Sequence, residues 1–267
     1  LLLVRTGALP TQNYDPRSGY LLIGLMILFS ALMGAVLTVF ASRPGEGTAV
    51  LQGERFAFTV GTPVRLPVQD QRLWSPDDPW LYPLELHFGE DRVESYFAMR
   101  KFSLGLDEKQ QPKLFLNNQP YFFNGVLDQG YWPESLYTAP SDEAMIFDIR
   151  SMKDLGFNMI RKHVKVEPLR WYYHCDRLGM VVWQDMVNGG GKPFLPLVCY
   201  LPNLFPPVTT RIRDNLYWFF SRTSKKTRRK WEQEAMNLID HLYNVPCIGL
   251  WVLFNEGWGQ FDSLRLT

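Results

Sequence analysis

The sequence predicts an antiparallel β-sandwich followed by alternating β and α elements around a parallel sheet, and two observations predict it. Residues 35–104 hold strand-sized runs, AVLTVFAS, ERFAFTV, TPVRLPV, YPLELHF and ESYFAMRKFSL, separated by the turn-forming RPGEG, Gly61-Thr62-Pro63 and WSPDDP. Beyond Gly105 and the charged stretch LDEKQQPK, helix-period and strand-period segments alternate, the pattern of parallel βα units. At 267 residues, 46% hydrophobic, the chain is long enough to give each part its own core.

Residues 1–19 are left unassigned. From Tyr20 to Phe40 run twenty-one residues without a charge. About 20 apolar residues span a bilayer, so a membrane helix is the competing reading here. The favoured one is two strands, Leu21–Phe29 and Ala35–Ser42, turning at Ser30–Gly34, because Val36 to Phe40 are strand formers. Arg17 and Arg43 flank both ends equally and give a span no orientation.

In the second part, LFLNN and PYFFNGVLDQ lead to a helix that Ser141 caps, with Asp142 and Glu143 matching the positive helix end. Ala144, Phe147, Met152 and Leu155 are expected on its core face, and Gly156 stops it. NMIRKHVKV follows as a strand. Glu167-Pro168 opens a helix on which Leu169, Tyr172 and Tyr173 line up, ending at Gly179, and MVVWQDM is the next strand. After an irregular Gly- and Pro-rich stretch from Val187 to Arg222, Trp231, Ala235, Leu238, Ile239 and Leu242 fall on one helical face. Pro246 ends that helix, and the nearly all-apolar IGLWVLFNE reads as a strand buried on both faces.

Such alternation fits an open doubly wound sheet or a barrel. No GxGxxG or GxxxxGK follows the first strand, which weakens nucleotide binding. In a barrel the strands' C-terminal ends carry the active site, and here those ends bear Asp128, Arg161, His163, Trp183, Asp185, Asn255 and Glu256.

A net charge of +1 gives no general attraction to nucleic acid or anionic membrane. The run RTSKKTRRK, six basic residues in nine, is accordingly read as a solvated loop leading into the helix at Trp231. Aromatic residues make up 15%, which suits rings stacked on flat ligands as well as a large core. Cys175, Cys199 and Cys247 lie far apart, cannot all pair and form no CxxC or Cys/His cluster, so neither a disulfide scaffold nor a metal or other cofactor is expected. A reducing, cytoplasmic compartment is the expectation, with a membrane anchor through Tyr20–Phe40 as its alternative. The start at Leu1-Leu2-Leu3-Val4, without Met or a recognisable signal peptide, suggests a piece of a longer reading frame.

The stretches LWSPDDPWLYPLEL, NGVLDQGYWP, LGFNMIRKHVKVEP, WYYHCDRLGMVVWQDM and NVPCIGLWVLFNEGWGQ, in this order, resemble the family 2 glycoside hydrolases of the β-galactosidase/β-glucuronidase/β-mannosidase type. The resemblance covers about residues 35 to 262. It implies an immunoglobulin-like sandwich over 20–105, whose first two strands lie in the apolar stretch, and strands 1–4 of a (β/α)8 TIM barrel over 106–267. It further implies retaining hydrolysis of β-glycosides, with a carbohydrate as partner and no nucleic acid.

By that resemblance Glu256 is the catalytic acid/base and Asn255 the residue that hydrogen-bonds the sugar 2-hydroxyl. Partial desolvation of Glu256 beside Trp251 and Trp258 would keep it protonated and fit to protonate the leaving oxygen. Arg161 orients the site's carboxylates, and His163 contacts substrate, although RKHVKVEP departs from the commoner RTSHYP spelling. Trp183 and Asp185 in VVWQDM resemble the β-mannosidase branch, Trp183 flooring the sugar site or filling the barrel and Asp185 binding a hydroxyl or holding Arg161. Trp258 is expected to bind sugar, and Asp128 to bind its hydroxyls or to cap the loop after the first strand. The family's nucleophile lies near the seventh strand, so the chain is expected to be inactive alone, with a carbohydrate-binding or membrane-anchored remnant as the alternative.

Overall fold

A computed structural model describes residues 22–26, 34–191, 196, 200–206, 213–257 and 259–267. Residues 1–19 and the turn between the first two strands lie outside these.

The apolar stretch forms strands where it is described. β1 (Leu22–Met26) pairs antiparallel with β2 (Gly34–Phe40), from Leu22 opposite Phe40 to Met26 opposite Val36. The paired segments therefore do not form one membrane helix, and among the described residues no helix is long and apolar enough to cross a membrane. β5 (Val64–Pro67) completes this sheet in the order β1-β2-β5. A second sheet has the order β4-β3-β6-β7, from β3 (Glu46–Leu51), β4 (Glu54–Thr59), β6 (Tyr82–Phe88) and β7 (Asp91–Phe97).

The two sheets share one core. Leu37, Val39 and Leu66 meet Ala49, Leu51, Leu84, Leu86 and Phe97. In β6, Tyr82, Leu84, Leu86 and Phe88 point inward by simple alternation. Glu46 and Gly47 fall in the expected turn RPGEG, and Thr48–Leu51 in none of the expected strands. Pairing to β4 and β6 on both sides makes Glu46–Leu51 a strand.

β8 (Phe102–Leu106), β9 (Pro112–Leu116) and β10 (Gln119–Pro120) form a small antiparallel sheet. The parallel sheet follows, in the order β11 (Gly125–Asp128), β12 (Met159–Lys162), β13 (Val181–Asp185) and β14 (Ile248–Val252). Each strand neighbours the next in the chain, as right-handed βα crossovers arrange them.

Helices α1 (Asp142–Asp154) and α2 (Leu169–Leu178) pack on this sheet. Ser141 caps α1 by accepting from the Ala144 N–H at 3.2 Å. The core face of α1 is only partly the expected one: Met152 packs on the core, but Met145 and Ile149 are the buried residues, whereas Phe147 and Leu155 are each 70% exposed. On α2 the buried stripe is Trp171, Tyr172 and Cys175, while Leu169 and Tyr173 are exposed. In both cases apolar residues on two adjoining faces left the choice to what packs opposite.

Gly179 ends α2 at φ +74°, and a Cβ there would stand 2.3 Å from the Pro76 carbonyl oxygen. Short α3 (Leu201–Leu204) precedes the long α4 (Lys225–Leu242), and α5 (Ser263–Leu266) closes the described chain. Ser224 caps α4, so the basic run is no loop: Lys225 to Lys230 form its first turns, and Arg222 is buried. Cys175 and Cys247 are free and buried.

Candidate active site

Register divides the parallel sheet's side chains between two faces. Arg161 lies opposite Trp183 and Lys162 opposite Gln184. Positions 161, 183 and 185 therefore share one face, and positions 162, 182 and 184 share the face that α2 covers.

On the first face, at the C-terminal ends of the strands, three predicted residues meet. Arg161 Nε and Nη2 donate to the two Asp185 carboxylate oxygens, each at 2.9 Å. Arg161 Nη2 also donates to Asn255 Oδ1 at 2.8 Å. The Asp185 carboxylate is 1% exposed and accepts a further bond from the Val164 N–H at 3.3 Å. A two-pronged guanidinium–carboxylate pair of this kind fixes both side chains in a plane. With Oδ1 committed to Arg161, Asn255 has its amide N–H2 left to donate.

Glu256 follows directly, in a turn where it has φ +51° and Gly257 φ +71°. This left-handed backbone swings Glu256 out of the line of β14, and its side chain is exposed. The desolvation expected at Glu256 is thus not supplied by its described surroundings. Behind the turn, Phe254 stacks on Trp231 of α4 (4.9 Å between centroids, 14° between planes), and Phe261 packs edge-on against both.

Trp183 lies one layer below Asp185 on the same face and packs on Phe123 at 6.0 Å. Together with Phe102, Leu114 and Leu250 these rings line a cleft of about 160 Å³ between the sheet and the β8–β9 hairpin. Asp128 lies elsewhere. Its carboxylate accepts from Lys162 Nζ and from the Gly130 N–H, on the side of the sheet that α2 covers. The His163 N–H bonds the Asp128 carbonyl at 2.9 Å, and its ring Nδ1 stands 3.3 Å from Gln129 Nε2. Asp128 and His163 thus tie the loops after β11 and β12 together. Trp258 lies outside the described residues.

Beneath those loops is a buried charge cluster that sequence reasoning missed. Lys162 and Lys165 each stand 2.9 Å from Glu167 Oε1, and Lys162 Nζ lies 4.2 Å from the centroid of the Trp171 ring. The Tyr172 hydroxyl donates to Gln184 Oε1 at 2.6 Å. The spelling RKHVKVEP held the signal, since strand alternation sends Lys162 to the opposite face from Arg161.

No family model matches the chain. By sequence it is 28% identical over 232 residues to a β-galactosidase of Leuconostoc mesenteroides, a match covering 84% of this chain and 19% of that protein. The chain thus spans about a fifth of that relative's length. In fold it is similar to a GH2 β-galacturonidase from Eisenbergiella tayi (TM-score 0.58, 18% identity, 86% of this chain and 39% of the other). It is also similar to a β-glycosidase from Bacteroides vulgatus (TM-score 0.62, 19% identity, 91% and 30%). Over the part it shares with them, the chain is thus similar in sequence to β-galactosidases and in fold to glycoside hydrolases of the GH2 type.

Proposed function

We propose that the chain carries the acid/base side of a retaining β-glycosidase site, with Glu256 as proton donor to the glycosidic oxygen. The observation that carries this reading is the Arg161–Asp185–Asn255 cluster, which holds Asn255 immediately before Glu256 at the strand ends. In this reading residues 20–105 form an immunoglobulin-like sandwich and residues 106–267 the first four βα units of a (β/α)8 barrel. The consecutive order of four parallel strands supports that assignment.

Each residue then has a part. Asn255 donates from its amide N–H2 to the sugar hydroxyl beside the reacting carbon. Arg161 holds Asn255 and Asp185 in register. Trp258, two residues beyond Glu256, supplies a ring to the sugar. Trp183 fills the interior, and Asp128 and His163 shape the rim.

Retaining hydrolysis also needs a second carboxylate about 5–5.5 Å from the first. Asp185 does not fill that role, because its carboxylate is buried beneath the strand ends, paired with Arg161 and 1% exposed. The 267 residues alone are therefore expected to bind a sugar without cleaving it.

Calorimetric titration with a 1,5-aldonolactone, which is flat at the anomeric carbon, tests this. Binding that Asn255→Ala weakens about tenfold, corresponding to about 1.4 kcal/mol, is expected, with no release of phenol from aryl β-glycosides. No binding by the unaltered chain would remove the site reading. Hydrolysis that vanishes in Glu256→Gln would show that the nucleophile is within the chain. Where the second carboxylate is present, Glu256→Gln should abolish cleavage of poor leaving groups and spare very good ones, which need no protonation.

A further inference from the structure

The segment between β13 and α4 delivers a buried cation, Arg222, to the loops above the parallel sheet. Arg222 is 2% exposed, and among the described residues no carboxylate forms an ion pair with it. Its Nε donates to the Gly259 carbonyl oxygen, while its Nη2 is buried with no hydrogen-bond partner among the described residues. The guanidinium lies 5.1 Å from the Phe261 ring centroid and 5.7 Å from that of Trp231.

Glycines make the room for it. A Cβ on Gly189 would approach Arg222 Nη1 to 3.2 Å, and one on Gly190 would approach Nε to 3.3 Å. A Cβ on Gly259 would stand 2.2 Å from the Gly189 carbonyl oxygen, so the loops after β13 and β14 touch backbone to backbone beneath the guanidinium. The Trp231 indole N–H donates to the Val187 carbonyl at 3.0 Å and fastens the first loop to α4. A cation buried with donors unused costs stability. What this one holds is the Gly259 carbonyl, three residues beyond Glu256.

We infer that Arg222 is a positioning residue for Glu256. Its guanidinium pins the Gly259 carbonyl against the Gly189–Gly190 loop and so fixes the direction in which Glu256 leaves the turn. This rests on the proposed acid role of Glu256. A lysine cannot substitute, since an ammonium has neither the planar face that lies among the rings nor an Nε at the required point.

The test follows the side-chain carboxyl signal of Glu256 by NMR in the full chain, with isotope-labelled glutamate and assignment by loss of the signal in Glu256→Gln. In Arg222→Ala the signal should be displaced or broadened, and free guanidinium at millimolar concentration should restore it, whereas methylammonium should not. A signal that does not move, or that guanidinium does not restore, overturns the inference. If Arg222→Ala does not fold, as judged by circular dichroism, Arg222→Lys decides. A displaced Glu256 signal supports the positioning role, and an unchanged one shows that charge alone suffices and overturns it. The readout needs no turnover, so failure of the glycosidase reading would show separately, as absent lactone binding by the unaltered chain.

Discussion

Asp185 is the least exposed ionised group of the candidate site, and its partner Arg161 is the more accessible of the two, at 1% and 27% side-chain exposure. This asymmetry makes the two sides of the pair unequal under mutation. Arg161→Met strands a buried carboxylate and should cost about 3–5 kcal/mol of unfolding free energy. Asp185→Asn leaves a guanidinium that water can reach and an amide oxygen that still accepts, and should cost about 1–2 kcal/mol. Urea unfolding of both variants measures the difference; equal small losses would mean that the pair is solvated and orients nothing. His163, after the same strand as Arg161, bonds the β11 loop through its N–H and its ring Nδ1.

Among the elements, the contact of α2 with β7 and with the residue before β14 buries a carboxylate. The Asp176 carboxylate accepts from the Cys247 N–H at 2.7 Å and from the Tyr96 hydroxyl at 2.8 Å. Burial nevertheless outweighs these bonds and the nearby Arg100, and pushes its pKa from 3.8 up to about 6. The folded chain thus keeps a proton that the unfolded chain has lost between about pH 4 and 6. Stability from this group is complete below pH 4, falls by about 3 kcal/mol as pH rises to 6, and is level above that. Asp176→Asn, which keeps an acceptor for Cys247 and a polar partner for Tyr96, should remove this fall; a profile unchanged from the parent's would place the titration elsewhere.

At the scale of the whole molecule, the sandwich and the parallel sheet are joined by buried polar bonds. Arg100 donates from Nε to the Pro246 carbonyl at 2.7 Å and from Nη2 to the Ile248 carbonyl at 3.1 Å, and it lies 4.8 Å from the Phe102 ring centroid. The Trp74 indole N–H donates to the Asp176 carbonyl at 2.8 Å. Arg100→Met leaves two buried carbonyls without donors and should cost about 2–4 kcal/mol. In urea, the change in Trp emission should then precede the loss of far-ultraviolet ellipticity. Coincident transitions with an unshifted midpoint would show that Arg100 does not join the two parts.

Composition and period settled the kinds of element in this chain. β6, the caps at Ser141 and Gly179, and the four parallel strands were legible because alternation, capping chemistry and apolar runs act over a few residues. So were Arg161, Asp185, Asn255 and Glu256, as polar residues at the ends of apolar strands. The tertiary structure decided what depends on partners distant in the chain. It chose Met145 and Ile149 over Phe147 and Leu155 as the buried side of α1, and it made a strand of Glu46–Leu51 through its two neighbours. It sent Asp128 to Lys162, and it drew Arg222 out of a basic run into the interior. The physical reason is the same throughout: burial and ion pairing are properties of the space a side chain enters, and neighbours that lie tens of residues away in sequence define that space.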